Sequence, residues 1–321
     1  MSMYVEEPGL FTLVQDLGRW GYQSKGVTVS EPMDSFSLRL GNVMLGNDEN
    51  AAALEMVMFG PVLVFRKSCC IAVTGADFGL TIDGEGASAW RVHRIEAGSR
   101  VALAGMTGDG CRAYLCIGGG IATPPVMGSR STYVKAGIGG MCGRALQAGD
   151  ILPLGEPAPN WQAGVGLVCP EEYRGTAFRD DPLYALDGPQ VDAFSPEGLA
   201  TFYNESYTVT DEIDRMGYRL DGPEIARLRG ADIVSDGIAF GSVQVPGNGK
   251  PIVLMSDRQT TGGYTKIAVV SSWSVASLAQ KMPGESVRFK RVTVEEATAM
   301  LRRFENTLHE LRKALAARGA A

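Results

Sequence analysis

Residues 252–270 read IVLMSDRQTTGGYTKIAVV. Two short apolar runs, 252–255 and 266–270, enclose a polar segment with both signs of charge and two glycines. Apolar runs of this length, bounded by polar residues and glycine, are typical of buried β-strands. The stretch therefore predicts two strands, and the polar side chains between them make it a candidate functional site.

The same pattern recurs along the chain, with glycines between the apolar runs. Further β-like runs lie at residues 61–65, 70–73, 100–103, 112–117 and 286–289. The 41 glycines suit turns and bulges, where a positive φ is needed, and they would destabilise helices. Many short strands separated by glycine turns predict a mainly β fold with a few helices, arranged as a barrel or sandwich.

Three segments have the pattern of helices. Residues 31–45 have a proline near the start and a glycine after the end, and a short helix is predicted at about 274–280. The last begins at Thr293, which forms a capping box with Glu296, and continues with apolar residues spaced by three or four. This helix either packs on its own barrel or docks a partner.

Two parts of the chain resemble each other in the same order. Residues 33–41 resemble 213–221, and residues 97–101 resemble 283–287. Self-similarity at this length predicts two related domains rather than a solenoid. The proline-rich stretch 152–160 is the natural joint, so we predict domains at 1–155 and 156–321, the second ending in the amphipathic helix. A small ligand is then expected in a cleft between the two halves.

Composition bounds the class of protein and its partners. The chain has 321 residues, of which 45% are hydrophobic and 21% charged, with a net charge of −6. This is a globular mixture, and the weak acidity without a basic stripe argues against a nucleic-acid partner. No apolar run approaches the ~18 residues that span a bilayer, and the N-terminus lacks the pattern of a signal peptide. We expect a cytoplasmic protein with no membrane partner.

Histidine, cysteine and glycine patterns exclude several kinds of site. With only His93 and His309, a histidine-based metal cluster is excluded, and a Ser-His-Asp site would depend on His93, which lies in a strand-like run. The six cysteines match no metal-binding spacing and are expected to be reduced thiols in the core. The chain has no P-loop motif, so any ATP would not be bound in that way.

The polar segment supplies most of the candidate ligand-binding residues. Arg258 is suited to a carboxylate or phosphate, and Gln259 can both donate to and accept from an amide. Glycines at 262 and 263 would let the backbone approach a ligand closely. The predicted substrate-binding residues of this segment are Asp257, Thr260, Thr261, Gly262, Gly263 and Tyr264. The alternative is a wide, solvated hairpin loop.

The first half contains two further candidates. Asp77 follows the strand-like run at 71–73 and is either a base or ligand anchor, or a residue that only forms a turn. Arg130, Ser131 and Thr132 lie in a glycine-flanked segment whose small donors around an arginine suit an anion. A flexible loop would give the same glycine pattern.

Several of these motifs together resemble the biotin-dependent carboxyltransferase-like family. That family includes the C subunit of bacterial 5-oxoprolinase, the KipA-type proteins, allophanate hydrolase subunit 2 and the carboxyltransferase domain of urea carboxylase. The similarity runs in order from about residue 8 to about residue 295. The motifs that carry it lie at residues 12–22, 33–40, 46–55, 74–77, 128–133 and 257–264.

The resemblance implies a fold, a reaction and partners. It implies two tandem cyclophilin-like β-barrel domains. It also implies one component of an ATP-dependent amidohydrolase that, with subunits A and B, opens the lactam of 5-oxo-L-proline to give glutamate. ATP would be used in the complex, and Asp77, Arg258, Gln259 and Lys266 are the catalytic candidates, because an activated lactam must be shielded and polarised.

Two other functions remain open. One is carboxyl transfer from carboxybiotin to urea or a related amide; this chain has no biotin attachment site, so biotin would arrive on another protein. The other is a KipA-type regulatory protein that binds and sequesters a partner.

Overall fold

The structure is a computed structural model that describes residues 1–174 and 182–319. Within these ranges the chain forms two compact units. The first comprises residues 1–19, 30–174 and 304–319, and the second comprises 20–29 and 182–303. The α-helices are α1 (Ser35–Met44), α2 (Pro196–Asn204), α3 (Ser272–Ala279) and α4 (Val294–Gly319). Strands predominate in both units, which confirms the predicted mainly β fold with a few helices.

The first unit contains two antiparallel sheets. Its strands are β1 (Ser2–Glu7), β2 (Phe11–Gln15), β3 (Ala53–Val57), β4 (Val62–Phe65), β5 (Cys69–Gly75), β6 (Leu80–Ile82), β7 (Glu85–Gly86), β8 (Val92–Ile95), β9 (Arg100–Leu103), β10 (Arg112–Ile117) and β11 (Ile151–Pro153). The sheet orders are β11-β1-β4-β9-β6-β7 and β2-β3-β10-β5-β8. Apolar side chains from both sheets, including Phe65, Val73 and Leu115, form one buried core.

The second unit is built on an eight-stranded sheet. Its strands are β12 (Leu183–Asp187), β13 (Tyr207–Ile213), β14 (Gly217–Asp221), β15 (Asp232–Gly237), β16 (Ser242–Gln244), β17 (Ile252–Leu254), β18 (Thr261–Tyr264), β19 (Lys266–Val270), β20 (Ser286–Val287) and β21 (Phe289–Arg291). The order is β20-β13-β14-β17-β16-β19-β12-β21, and β15 pairs with β18 in a separate ribbon. The edge strands β20 and β21 are consecutive in sequence, so the sheet closes almost into a barrel.

Helix ends follow local capping chemistry. The Asp34 side chain accepts from the backbone N–H of Ser37 at 3.0 Å and begins α1. Ser195 caps α2, which has a proline at its first turn, by accepting from the Gly198 N–H at 3.1 Å. The sequence analysis missed α2, although Ser195 and Pro196 are the standard signal for a helix start.

Helix α4 packs on the chain itself. Its predicted capping box is confirmed: Thr293 N–H donates to Glu296 Oε2 at 2.7 Å, and Glu296 N–H donates to Thr293 Oγ1 at 3.2 Å. In the first unit, the Phe304 ring contacts the Phe36 ring edge-on, with 4.3 Å between centroids. Leu308 and Leu311 continue this buried stripe. The interpretation of the helix as a support of its own barrel is therefore the one that the contacts favour.

The bounds of the two units differ from the predicted 1–155 and 156–321. Residues 304–319 belong to the first unit because the apolar stripe of α4 is buried there. Residues 20–29 belong to the second unit, where Thr28 Oγ1 donates to the Ser256 carbonyl oxygen at 3.2 Å. The proposed equivalence of residues 33–41 and 213–221 is wrong, because the first range contains α1 and the second contains the turn into β14. The similarity between the two ranges is therefore local and does not extend to their secondary structure.

No helix within residues 1–174 and 182–319 combines the length and the apolar character that crossing a membrane requires.

We expect Phe304→Ala to lower the free energy of unfolding by about 3–5 kcal/mol, because the ring is fully buried and its loss leaves a cavity. Leu301→Ala, one turn earlier and 39% exposed, is the matched control and should cost less than about 1 kcal/mol. Urea unfolding followed by circular dichroism measures both. Equal small effects would show that α4 does not stabilise the first unit.

Candidate functional site

The hairpin of β13 and β14 forms one wall of the candidate site. Asp214 Oδ1 holds its turn by accepting from the backbone N–H groups of Met216 at 2.7 Å and Gly217 at 3.1 Å. This is a common way for an aspartate to stabilise a turn. The neighbouring Arg215 side chain is buried, so the turn places a guanidinium inside the second unit.

Arg215 forms a buried ion pair with Asp257, at the start of the polar segment. Arg215 Nε lies 3.1 Å from Asp257 Oδ2, and Nη2 lies 3.3 Å from Oδ1, so the pair is bidentate. The backbone N–H of Asp257 also donates to the Arg215 carbonyl oxygen at 2.7 Å. Because a buried charge without its partner is strongly destabilising, this pair fixes the start of the segment against the β13–β14 turn.

Arg258 lies in the packed interior of the second unit. Its Nη1 donates to the Met255 carbonyl oxygen at 3.2 Å, and its guanidinium carbon lies 5.2 Å from the centre of the Phe240 ring. An arginine over an aromatic face gains a cation–π interaction. These contacts hold the Arg258 side chain against the protein itself. Its predicted role as a clamp for a carboxylate or phosphate stays a prediction.

Lys266 ties down the other end of the segment. Its side chain is only 1% exposed, and Nζ donates to Asp236 Oδ2 at 2.9 Å. This hydrogen bond is the largest influence on the pKa of Asp236, which is lowered, and the Gly237 N–H adds to it. The backbone N–H of Lys266 donates to Gln190 Oε1 at 3.2 Å. The catalytic role predicted for Lys266 is not tested by these contacts.

The middle of the segment is partly a strand rather than a loop. Residues Thr261–Tyr264 form β18, which pairs antiparallel with β15. Just before it, the Thr260 carbonyl oxygen accepts from the Ile238 N–H at 3.0 Å. The wide solvated hairpin considered from the sequence is therefore replaced by a two-stranded ribbon, with Gln259 shortly before β18 and Tyr264 at its last position.

A cleft of about 520 Å³ opens beside this ribbon in the second unit. Gln259 and Tyr264 line it together with residues of the β13–β14 hairpin and of strands β16 and β17. The lining consists of Asp211, Glu212, Ile213, Asp214, Met216, Gly217, Arg219, Gln244, Pro246, Ile252, Leu254, Gln259 and Tyr264. Six of these residues have charged or carboxamide side chains and five are apolar, so the cleft offers many polar groups to a small ligand.

The charges on this lining favour a neutral or cationic ligand group. Asp211, Glu212 and Asp214 are acidic, and the guanidinium of Arg219 is paired with Glu212 at 2.8 Å. Carboxylates near a ligand repel phosphate groups, more so where solvent screening is reduced. The net acidic lining therefore disfavours phosphate groups at this cleft.

In the first unit, Asp77 forms a turn. It is exposed after β5, and its Oδ1 accepts from the Gly79 N–H at 2.9 Å. Gly75 has a φ of +85°, and a β-carbon there would lie 2.6 Å from the Arg112 carbonyl oxygen, so the turn requires glycine. These contacts agree with the interpretation of Asp77 as a turn-forming residue. Its role as a base stays a prediction.

The segment containing Arg130, Ser131 and Thr132 surrounds the buried carboxylate of Asp16. Ser131 Oγ and Ser129 Oγ donate to Asp16 Oδ1 at 2.8 and 2.6 Å. Thr132 Oγ1 donates to the Val14 carbonyl oxygen at 2.9 Å, and Arg130 Nε to that of Thr123 at 2.9 Å. The donors predicted for an external anion thus bind an anion of the protein itself, and external ligand binding by this segment stays a prediction.

A second buried network joins α1 to the sheets of the first unit. Tyr114 Oη donates to Glu55 Oε2 at 2.8 Å and accepts from the Asp34 N–H at 2.7 Å. Burial raises the pKa of Tyr114 well above its ordinary value, and the carboxylates of Glu55 and Asp34 raise it further. Because Tyr114 stays neutral, its hydroxyl can donate to Glu55. Asp34 of the 33–40 motif and Glu55 of the 46–55 motif therefore help to position α1 through Tyr114.

The structure thus brings together part of the predicted site. In the second unit, Gln259 and Tyr264 line the cleft, with Asp257, Arg258 and Lys266 buried at the ends of their segment. Asp77 and residues 130–132 belong to the first unit, and a site that joins them to the others stays a prediction. Sequence reasoning missed Gln244, whose strand has three residues and too short a pattern to recognise.

Both histidines and five of the six cysteines have the environments that the sequence indicated, whereas Cys142 is exposed and not a core thiol. A ring nitrogen of His93 lies 2.7 Å from the Ser88 carbonyl oxygen, and His309 is exposed. The six cysteines are free thiols, and Cys142 is the exposed one. Burial raises the pKa of Cys69 to about 12, so its thiol stays protonated. Within the described ranges, no group of three or more His, Cys, Asp or Glu could hold a metal ion.

The profile of the carboxyltransferase domain, subdomain A and B, matches residues 25–291 of the chain. The chain belongs to this family. The match extends over most of both units and contains the polar segment and the cleft, and it confirms the resemblance drawn from the motifs.

Two bacterial members of the family are similar over nearly their whole length. The 5-oxoprolinase C subunit of Escherichia coli (strain K12) is 38% identical over 290 residues, covering 90% of this chain and 91% of that protein. The 5-oxoprolinase C subunit of Haemophilus influenzae is 36% identical over 300 residues, covering 94% of each.

A solved structure supports the same fold. The crystal structure of the Kluyveromyces lactis urea amidolyase matches with a TM-score of 0.86 and 28% identity, over 97% of this chain and 20% of that one. The carboxyltransferase fold therefore occurs both as a separate chain of this length and within a much longer protein.

We expect Asp257→Leu to lower the free energy of unfolding by about 3–5 kcal/mol, because Arg215 would lose its buried countercharge. The double variant Arg215→Met with Asp257→Leu should cost clearly less than the sum of the two single variants. Urea unfolding measures the cycle. Glu212→Gln, in a pair with Arg219 whose side chains are 74% and 55% exposed, is the control and should change stability by less than about 1 kcal/mol. Additive single effects would contradict the coupling.

Stability should also depend on the ionisation of Asp236. Its pKa is lowered in the folded chain from an ordinary value of 3.8. The folded state therefore favours the ionised carboxylate, which stabilises it above that ordinary value and ceases to do so as pH falls through the lowered one. The difference in Tm between wild type and Asp236→Asn should shrink as pH is lowered from about 6 to about 2. A difference that stays constant over this range would contradict the assignment.

Proposed function

We propose that this chain is the C subunit of an ATP-dependent 5-oxoprolinase, which opens the lactam of 5-oxoproline to glutamate together with partner subunits A and B. The observation that supports this most is the 38% identity to a 5-oxoprolinase C subunit that extends over 91% of that protein. Similarity over the whole length of a subunit, rather than over a shared domain alone, favours the same place in a complex.

The charges of the cleft agree with ATP and the lactam being bound by different chains of this complex. Three acidic residues on the lining disfavour phosphate groups, so we assign ATP binding to a partner subunit and the amide or lactam group to this chain. The lactam group of 5-oxoproline is neutral, and both its carbonyl oxygen and its N–H can be bound by carboxamides such as that of Gln259. The carboxylate of 5-oxoproline is an anion, so it has to lie away from the three acidic side chains of the lining.

Among the predicted catalytic residues, Gln259 is the one that lines the cleft. We propose that it contacts the substrate, and that Arg258 and Lys266 position its segment through the contacts that bury them. Asp77 lies in the first unit, after β5, and we retain it as a candidate base.

A second candidate function is carboxyl transfer to urea or a related amide, with biotin carried by another protein. It is favoured by the TM-score of 0.86 to the Kluyveromyces lactis urea amidolyase. The acidic lining is also compatible with a neutral amide. The two functions share an amide carbonyl in the site and differ in the partner that delivers the activating group.

Reconstitution tests the proposal. The full chain is combined with subunits A and B, and glutamate formation from 5-oxoproline is measured with and without ATP. We expect ATP-dependent turnover only when all three chains are present. Binding to the partners without turnover would contradict the proposal and favour the regulatory function; carboxylation of urea with a biotinylated carrier would favour the second candidate.

Gln259→Ala should lower kcat/KM in this assay about tenfold or more, the effect of losing one hydrogen bond to the substrate. Gln147→Ala, at an exposed position of the first unit, is the control and should leave turnover unchanged. Both variants should unfold at the wild-type temperature. Turnover by Gln259→Ala at the wild-type rate would show that this glutamine does not contact the substrate.

A further inference from the structure

Gln244 presents a buried amide donor at the wall of the cleft. It lies in β16, only 2% of its surface is exposed, and it is one of the lining residues. Its Nε2 has no hydrogen-bond acceptor among the residues that the structure describes. A buried donor without an acceptor costs stability, so a fold that keeps one beside a cleft has a donor available for a ligand.

Gly262 makes room for this donor and for a second one. A β-carbon at Gly262 would lie 2.7 Å from Gln244 Nε2 and 3.6 Å from Gln259 Nε2. It would also lie 2.6 Å from the Ile238 side chain. The two carboxamide nitrogens therefore converge on the same face of Gly262, and any larger residue would displace at least one of them.

Two N–H donors that converge on one point form a site for a single oxygen acceptor. The nearby carboxylates of the cleft disfavour an anionic acceptor, whereas a carbonyl oxygen is neutral and accepts two hydrogen bonds. We propose that Gln244 Nε2 and Gln259 Nε2 together bind the carbonyl oxygen of a small amide or lactam, and that position 262 has to be glycine because a β-carbon there would displace Gln244 Nε2.

This assignment deepens the proposed function and rests on it for the identity of the substrate. Paired donors at a carbonyl oxygen also stabilise the negative charge that develops there when the carbonyl carbon is attacked or activated. Gln259 would contribute from the polar segment and Gln244 from the barrel sheet, so the geometry depends on how the segment is anchored.

A structural role for Gln244 makes a different prediction, and Gln15 provides the comparison. Gln15 is fully buried in the first unit, and its Nε2 donates to the Thr132 carbonyl oxygen at 3.1 Å. Gln15→Met should therefore lower Tm. Gln244→Met removes a donor that has no acceptor within the described residues, so its Tm should equal or exceed that of wild type.

The test uses the full chain and 2-pyrrolidinone, a neutral lactam without a carboxylate. Binding is measured by ligand-observed NMR titration for wild type, Gln244→Met, Gly262→Ala and two controls. We expect Gln244→Met and Gly262→Ala to weaken binding about tenfold or more. The controls, Gln15→Met and Gly237→Ala, should bind as wild type does; a β-carbon at Gly237, in the same ribbon, would meet nothing within 4 Å.

Lactam binding that is unchanged in Gln244→Met, or undetectable in wild type, overturns the inference. A lower Tm for Gln244→Met also overturns it, because the amide would then have a structural partner. Failure of the proposed function is seen separately: reconstituted wild-type complex without ATP-dependent glutamate formation overturns the function, while lactam binding that depends on Gln244 would still support the carbonyl site.

Discussion

The buried ion pair between Arg215 and Asp257 is the constraint on which the candidate site depends. Both side chains are about 8% exposed, so their charges interact at a low effective dielectric, and neither can be removed alone without a large cost. The pair joins the β13–β14 turn to the start of the polar segment, and Lys266 joins the end of that segment to Asp236 in β15. Between these two anchors the segment has little freedom, which sets where Gln259 and Tyr264 meet the cleft.

This arrangement divides the polar residues of the second unit by charge. The charged residues at the ends of the segment are paired with charges or packed on an aromatic ring, and so they hold the backbone in place. The uncharged carboxamides of Gln244 and Gln259 lie at the cleft. A buried charge needs a permanent partner, whereas an amide can exchange a ligand at smaller cost. The charged pairs therefore hold the segment in place, and in the proposed site the neutral carboxamides contact the ligand.

Much of the fold could be predicted because its signals are local. The apolar runs at 112–117 and 266–270 are strands, and the capping box at Thr293 begins α4 as the sequence indicated. The partners within the site could not be predicted, because Arg215 lies 42 residues from Asp257 and Asp236 lies 30 from Lys266. From the sequence, Arg258 beside Asp257 is interpreted as a clamp for a ligand. The contacts of these two side chains are with Phe240 and Arg215, which lie in turns elsewhere in the chain and cannot be recognised from the local sequence. Residues 33–41 and 213–221 also show that local sequence does not determine the structure alone. Their sequences are similar, but the first lies mainly in α1 and the second forms a turn and strand β14.

The comparison with the two kinds of relatives points to what the fold itself contributes. A separate bacterial protein and part of a much longer yeast protein share this fold with the chain. 5-Oxoproline and urea differ in size and charge, but each has a carbonyl oxygen on an amide carbon. In the proposed assignment, Gln244 and Gln259 of this chain bind that shared atom, and the rest of the ligand contacts the walls of the cleft. In both proposed functions a partner delivers the activating group, so this chain would bind the same carbonyl oxygen in either reaction.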